Sequence, residues 1–227
     1  MKVLAIDSAL GACSVAVWDQ KVISGQQEIM SRGHVEALIP MVQAVITESG
    51  MEFSQLELIA VSIGPGSFTG LRAGLAAARG LGIALNIPVH GVTTLEAVAA
   101  SAIRQRPPGP GDAILVALET KRADIYVQEF DHQGVAQGEP LAQLPLVASE
   151  LLTDRVGLCG DGAEKVLAEL PMTRRENVNH LLGVERPDAG EIAIIAANRM
   201  RQPVLAEPLY IHPPAAKIPV AAGRLRR

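Results

Sequence analysis

The chain has 227 residues, apolar at 48% of positions yet aromatic at only 3%, so its core has to be aliphatic and alanine-rich. That length buries a substantial core, as one large domain or two smaller lobes. A net charge of −4 argues against a globally basic nucleic-acid binder. Cys13 and Cys159 have no metal-ligand spacing and are expected to sit reduced in a cytosolic core.

Met1-Lys2 runs directly into an apolar stretch at 3–6, which predicts a buried strand ending in Asp7-Ser8. With no leader visible there, and with Arg72 and Arg79 interrupting the most apolar helix, the expectation is a cytoplasmic protein without a membrane span. Turns at Leu10-Gly11 and Asp19-Gln20-Lys21 lead into strands at 13–18 and 22–28. Ser31 is the expected cap of the next helix and Gly50 its end. Val35, Leu38, Ile39, Val42, Val45 and Ile46 share one face of that helix, and Pro40 predicts a kink or break in it.

The centre of the chain carries the strongest pattern. Leu58-Ile59-Ala60-Val61 predicts a buried strand, and residues 73–85 a helix capped by Ser67 or Thr69. Between them, Ser62-Ile63-Gly64-Pro65-Gly66-Ser67-Phe68-Thr69-Gly70-Leu71-Arg72 is a glycine turn onto a helix N-terminus, an arrangement able to bind an anion. It is not a P-loop, because it has no lysine. Nor is it a dinucleotide fingerprint, which would need glycine where Thr69 stands. Gly70, Gly74, Ala78 and Gly82 recur every four residues and form a smooth ridge. Each interior glycine costs a helix about 1 kcal/mol relative to alanine. The ridge should therefore permit close approach of another backbone, either this domain's own sheet and helices or a second protein chain.

A strand at 89–92 precedes Thr93-Thr94-Leu95-Glu96, which has capping-box spacing and opens a helix closing near Arg104–Arg106. Pro107-Pro108-Gly109-Pro110-Gly111 is the best linker in the chain. Beyond it the opening repeats: strand 113–118, turn Glu119-Thr120-Lys121-Arg122, strand 125–130, with Glu119 placed as Asp7 is. The expected division is an N-terminal lobe at 1–106 and a smaller C-terminal lobe at 112–227. Gly160-Asp161-Gly162-Ala163 is another strand-to-helix turn, residues 188–200 a final helix, and 208–211 a short extended piece. The tail, 213–227, ends Arg224-Leu225-Arg226-Arg227 and reads either as a solvated terminus or as a contact for RNA phosphates.

Gly-Pro-Gly-Ser-Phe-Thr-Gly-Leu-Arg at 64–72, with Leu4-Ala5-Ile6-Asp7-Ser8, the segment 88–95 and the late Cys-Gly-Asp-Gly-Ala, resembles the bacterial TsaB (YeaZ) family. The resemblance implies an α/β fold of two duplicated lobes, of the actin, sugar-kinase and heat-shock ATPase (ribonuclease H-like) type. In that superfamily the aspartate of the first turn positions a metal-bound phosphate and a late glycine pair accommodates adenosine. Asp7, Ser8, Gly160 and Gly162 are therefore the expected remnant of a nucleotide cleft. The related protein TsaD holds its metal on a His-x-Glu-x-His helix. Here His34-Val-Glu-Ala-Leu38 has leucine in the second histidine position, so no metal is expected.

The function implied is that of a noncatalytic subunit in formation of threonylcarbamoyladenosine at position 37 of transfer RNA. The chain would bind TsaD, which transfers the threonylcarbamoyl group, and would join the ATPase TsaE in a larger assembly. It would meet transfer RNA only indirectly, form a homodimer when alone, and have no intrinsic cofactor, with ATP or ADP entering only at the level of the complex. The expected partner interface is Gly70, Gly74, Ala78, Gly82 and Arg72, with His34 and Leu38. The competing reading is an enzyme, either a small ATPase or kinase of this fold or a metallopeptidase-like protein.

Overall fold

The computed structural model describes residues 1–176 and 178–212. Its first half runs β1 (Lys2–Asp7), β2 (Ala12–Asp19), β3 (Lys21–Ile29), α1 (His34–Ser49), β4 (Leu58–Gly64), α2 (Phe68–Leu85), β5 (Val89–Thr93) and α3 (Thr94–Gln105). The second half runs β6 (Ala113–Glu119), β7 (Ile125–Asp131), β8 (Leu141–Gln143), α4 (Pro145–Ser149), β9 (Val156–Cys159), α5 (Ala163–Ala168), α6 (Met172–Arg175), β10 (Asn179–His180) and α7 (Ala189–Asn198).

The first sheet has the order β3-β2-β1-β4-β5, with β2 antiparallel to its neighbours and β1, β4 and β5 parallel. The second, read from its β8 edge, is β8-β7-β6-β9-β10 with the same pattern of directions. Two sheets built to one plan make a duplicated-lobe α/β architecture. The continuous apolar run of β4 is buried on both faces, as an interior parallel strand requires. The edge strand β3 buries only Ser24.

The elements form for the local reasons written in the sequence, with three exceptions. Ser67 caps α2 by accepting from the Gly70 N–H, and Thr93 and Glu96 close a reciprocal capping box on α3 at 3.0 and 3.1 Å. At α1 the cap is Gly33, in the left-handed region at φ 87°, with no side-chain bond, so Ser31 plays no such part. Helix α1 also continues through Pro40, whose exposed position leaves the carbonyl it fails to satisfy open to water. The third exception is longer in range. Helix α7 lies in the half expected to form the second lobe, yet Ala189, Ile192, Ala193 and Ala196 pack on Val3, Ala5, Leu58 and Ala60 of the first sheet. Glu96 holds it there through Arg199 at 2.5 Å.

The two lobes share a core. Ala9 and Leu10 of the β1–β2 turn, Leu71 of α2, and Leu95, Val98 and Ala102 of α3 pack on Ile114, Val116, Leu118, Phe130 and Cys159 of the second sheet. From α7 the chain returns along the β5 edge, where Gly91 N–H donates to Val204 and Leu209 N–H donates to Ile63 at 2.8 and 2.7 Å. It then reaches the second lobe, where His212 lies 3.2 Å from Asp124 and against the Tyr126 ring. The tail at 213–227 lies outside the described residues.

Candidate functional site

The glycine ridge of α2 faces inward. Gly70, Gly74, Ala78 and Gly82 are all buried. A Cβ on Gly70 would run into the Ser8 carbonyl, one on Gly74 would lie 2.6 Å from Ser8 Oγ, and one on Gly82 would meet Val89. Ser67 N–H donates to the Ala9 carbonyl at 2.7 Å, and the Ser8 hydroxyl donates to the Gly70 carbonyl at 2.8 Å. The glycines therefore let α2 and its leading loop close onto the β1–β2 turn, and they do not offer a surface to a partner. Leu38 is corrected in the same way: it is 1% exposed and belongs to the core under α1 and α2. His34 is half-buried, with Nε2 bonded to the Leu10 carbonyl at 3.0 Å, and so ties α1 to that same turn.

The residues expected to form a nucleotide cleft do not line one cavity. Asp7 and Ser8 are wholly buried, and a Cβ on Gly66 would collide with the Ala9 carbonyl directly above them. Burial pushes the Asp7 carboxyl up to about 7 against the bonds it accepts. Its Oδ1 accepts from Ala9 N–H at 3.1 Å, while Oδ2 is sealed from solvent without a hydrogen bond. Gly160 and Gly162 pack on the backbone of Ala117 and Leu118, and Gly162 N–H donates to the Ala117 carbonyl at 2.9 Å. Gly160 borders a cavity of about 370 Å³ with Glu119, Asp161, Glu164 and Arg186, to which Gly162, Asp7 and Ser8 do not contribute. In that cavity burial raises Asp161 to about 6, opposed by the bond from Glu119 N–H, and Lys165 pairs with Glu119 at 3.1 Å.

Nucleophilic chemistry finds no foothold in the cysteines either. Both are free and buried, and burial pushes Cys13 to about 11 and Cys159 to about 12, so both are thiols at neutral pH. Among the described residues no group of three or more His, Cys, Asp or Glu side chains is placed to hold a metal ion.

What remains open is the other side of the same helices. Helices α1 and α2 lie side by side on one face of the first sheet. Their outward sides expose Val35 (59%), Ile39, Phe68 (57%) and Ile83 (83%). Ala76 and Gly80 are exposed between them, and nothing lies within 4 Å of where a Gly80 Cβ would stand. Arg72, the one expected interface residue of α2 that does point outward, stacks 3.6 Å from the centre of the Phe68 ring and donates from Nε to the Tyr210 hydroxyl at 3.3 Å. The sequence contained a signal for this surface. Arg72, Ala76, Gly80 and Ala84 are a second period-four row, and its arginine marks it as the solvent side. Tyr210, 138 residues away from Arg72, had no such signal.

Residues 20–146 match the family model described as TsaD, tRNA N6-adenosine threonylcarbamoyltransferase. The tRNA threonylcarbamoyladenosine biosynthesis protein TsaB of Escherichia coli K12 is 36% identical over 141 residues, 61% of this chain and 60% of that protein. The matched part of the chain therefore spans about 60% of the length of that relative. TsaB of Buchnera aphidicola from Schizaphis graminum is 31% identical over 174 residues, 74% of this chain and 81% of that protein. The solved structure of YeaZ from Pseudomonas aeruginosa superposes with a TM-score of 0.76 at 24% identity, over 92% of this chain and 100% of that one, which establishes the common fold. With its glycine-loop motif, its paired sheets and these relatives, the chain belongs to the TsaB (YeaZ) family.

Proposed function

We propose that this chain is a noncatalytic subunit of the machinery that forms threonylcarbamoyladenosine in transfer RNA, and that it binds and activates TsaD through the outward sides of α1 and α2. The observation that carries the reading is that surface: apolar side chains and small residues on two adjacent helices, exposed where a core of this composition would otherwise bury them. The names of the relatives supply the pathway. TsaD provides the transferase chemistry, and TsaE joins the same assembly. The contribution of this chain is contact, which holds TsaD in its productive conformation. In the absence of TsaD the same surface pairs two copies of the chain. Transfer RNA is met through the partners, and the place of work is the cytoplasm. The burial of Asp7 beneath the β1–β2 turn and the α2 loop supports a subunit that does not process nucleotide itself.

Co-purification with TsaD, followed by a modification assay with and without this chain, tests the proposal. Binding together with a strong dependence of modification on the chain is the expected result. Steady ATP hydrolysis or peptide cleavage by the isolated chain, abolished by Asp7→Ala with the fold intact, would favour the enzyme reading.

A further inference from the structure

Arg72 is held in a way its exposure does not require. Its guanidinium lies 3.6 Å over the centre of the Phe68 ring, its Nε donates to Tyr210, and the Phe68 and Tyr210 rings stack at 6.2 Å between centroids. Tyr210 cannot drift, because the segment carrying it is tied to the first lobe. Arg79 donates to the Ala206 carbonyl at 2.5 Å, Leu209 N–H to Ile63 and Gly91 N–H to Val204. Among the described residues, Nε is the only side-chain nitrogen of Arg72 with a hydrogen-bond partner, so both terminal amino groups point free with the plane of the fork already set. The chain has only one Trp, two Tyr and three Phe, and it places two of these six rings in an exposed cluster around one arginine.

We propose that Arg72, preset by Phe68 and Tyr210, is the specificity determinant of the α1–α2 docking surface, and that it receives a carboxylate side chain of the partner protein in bidentate geometry. The inference rests on the docking reading above and adds to it the chemistry the partner must present. An oriented guanidinium matches a planar carboxylate, and its low remaining freedom reduces the ordering cost of binding. Aromatic side chains and arginine are also the types enriched where interfaces concentrate their energy. A carboxylate fits better than an RNA phosphate because Arg79, the next arginine on that side of α2, is already bonded to the Ala206 carbonyl, and Ala76, Gly80, Ile83, Val35 and Ile39 offer a strand of phosphates nothing further to pair with. The segment 204–212 thereby has a role beyond covering the β5 edge. It positions the arginine.

The test measures affinity for purified TsaD with the full chain and three variants, Arg72→Ala, Arg72→Lys and Tyr210→Phe, all at exposed positions. Arg72→Ala should weaken binding by about thirty-fold or more, and Arg72→Lys should not restore it, because an ammonium lacks the fork. Tyr210→Phe should weaken binding several-fold in the native background and have no effect in the Arg72→Ala background, since Tyr210 acts through the arginine. Native affinity in Arg72→Ala, or an equal Tyr210→Phe effect in both backgrounds, would overturn the assignment while leaving the docking reading standing. So would Arg72→Ala abolishing only self-association, or only binding of a single-stranded oligoribonucleotide. If the native chain itself fails to bind TsaD, the docking reading falls and this assignment with it.

Discussion

Asp7 shows how a single buried group departs from what its sequence context suggests. A carboxylate after the first strand signals phosphate chemistry, but here the turn above it is closed by the Ser67 and Gly70 contacts and the acid is left without water. Its folded value of about 7 lies above the ordinary 3.8, so the folded state prefers the protonated form. The stability this group contributes is complete below about pH 4 and is lost as the pH rises towards 7. Asp7→Asn should therefore stabilise the protein relative to the native chain increasingly from pH 4 to pH 7, by on the order of 2–4 kcal/mol at the upper end. Chemical denaturation at the two pH values measures this, and a constant difference would contradict it. Gly74 makes the complementary point. Gly74→Leu should overpack the contact with Ser8 and Val61 and destabilise the chain by about 1–3 kcal/mol, seen as a lower melting temperature. The residue types were legible in the sequence. Their environments were not, because closure of the loop onto Ser8 and Ala9 depends on contacts some sixty residues apart.

Helix α2 has two small-residue rows, and only three-dimensional context distinguishes them. The row at 70, 74, 78 and 82 meets the sheet, and the row at 72, 76, 80 and 84 meets solvent. Period four was readable, and Arg72 in the second row was the available clue to its side. The capping box of α3 and the left-handed Gly50 that ends α1 were equally readable, because caps are local chemistry. The short pieces were not. Strands β8 and β10 and helices α4 and α6 have two to five residues each, too few for any periodicity to register, whereas the glycine turn at 160–162 did mark the start of α5. Pro40 misled for another reason: its cost falls where water can take the orphaned carbonyl, so α1 runs on.

At the scale of the whole molecule, the repeat of one strand plan in two sheets was visible as a repeated strand–turn–strand opening with an acidic residue at each first turn. The shared core between the lobes was not, since Leu10 and Phe130 belong to different halves and only tertiary packing joins them. Phe130 is wholly buried there, so Phe130→Ala should cost about 3–5 kcal/mol, and both lobes should melt in one transition. Two resolved transitions in calorimetry would mean that the lobes are energetically separate. The proposed function puts partner binding on the helical face of the first lobe. The most direct test is the affinity of Gly80→Leu for TsaD. Because nothing lies near a Gly80 Cβ, this variant should melt like the native protein. It should nevertheless lose TsaD binding by at least an order of magnitude and fail to support modification. A Gly80→Leu chain that is folded and binds TsaD with native affinity would contradict the assignment of the α1–α2 face.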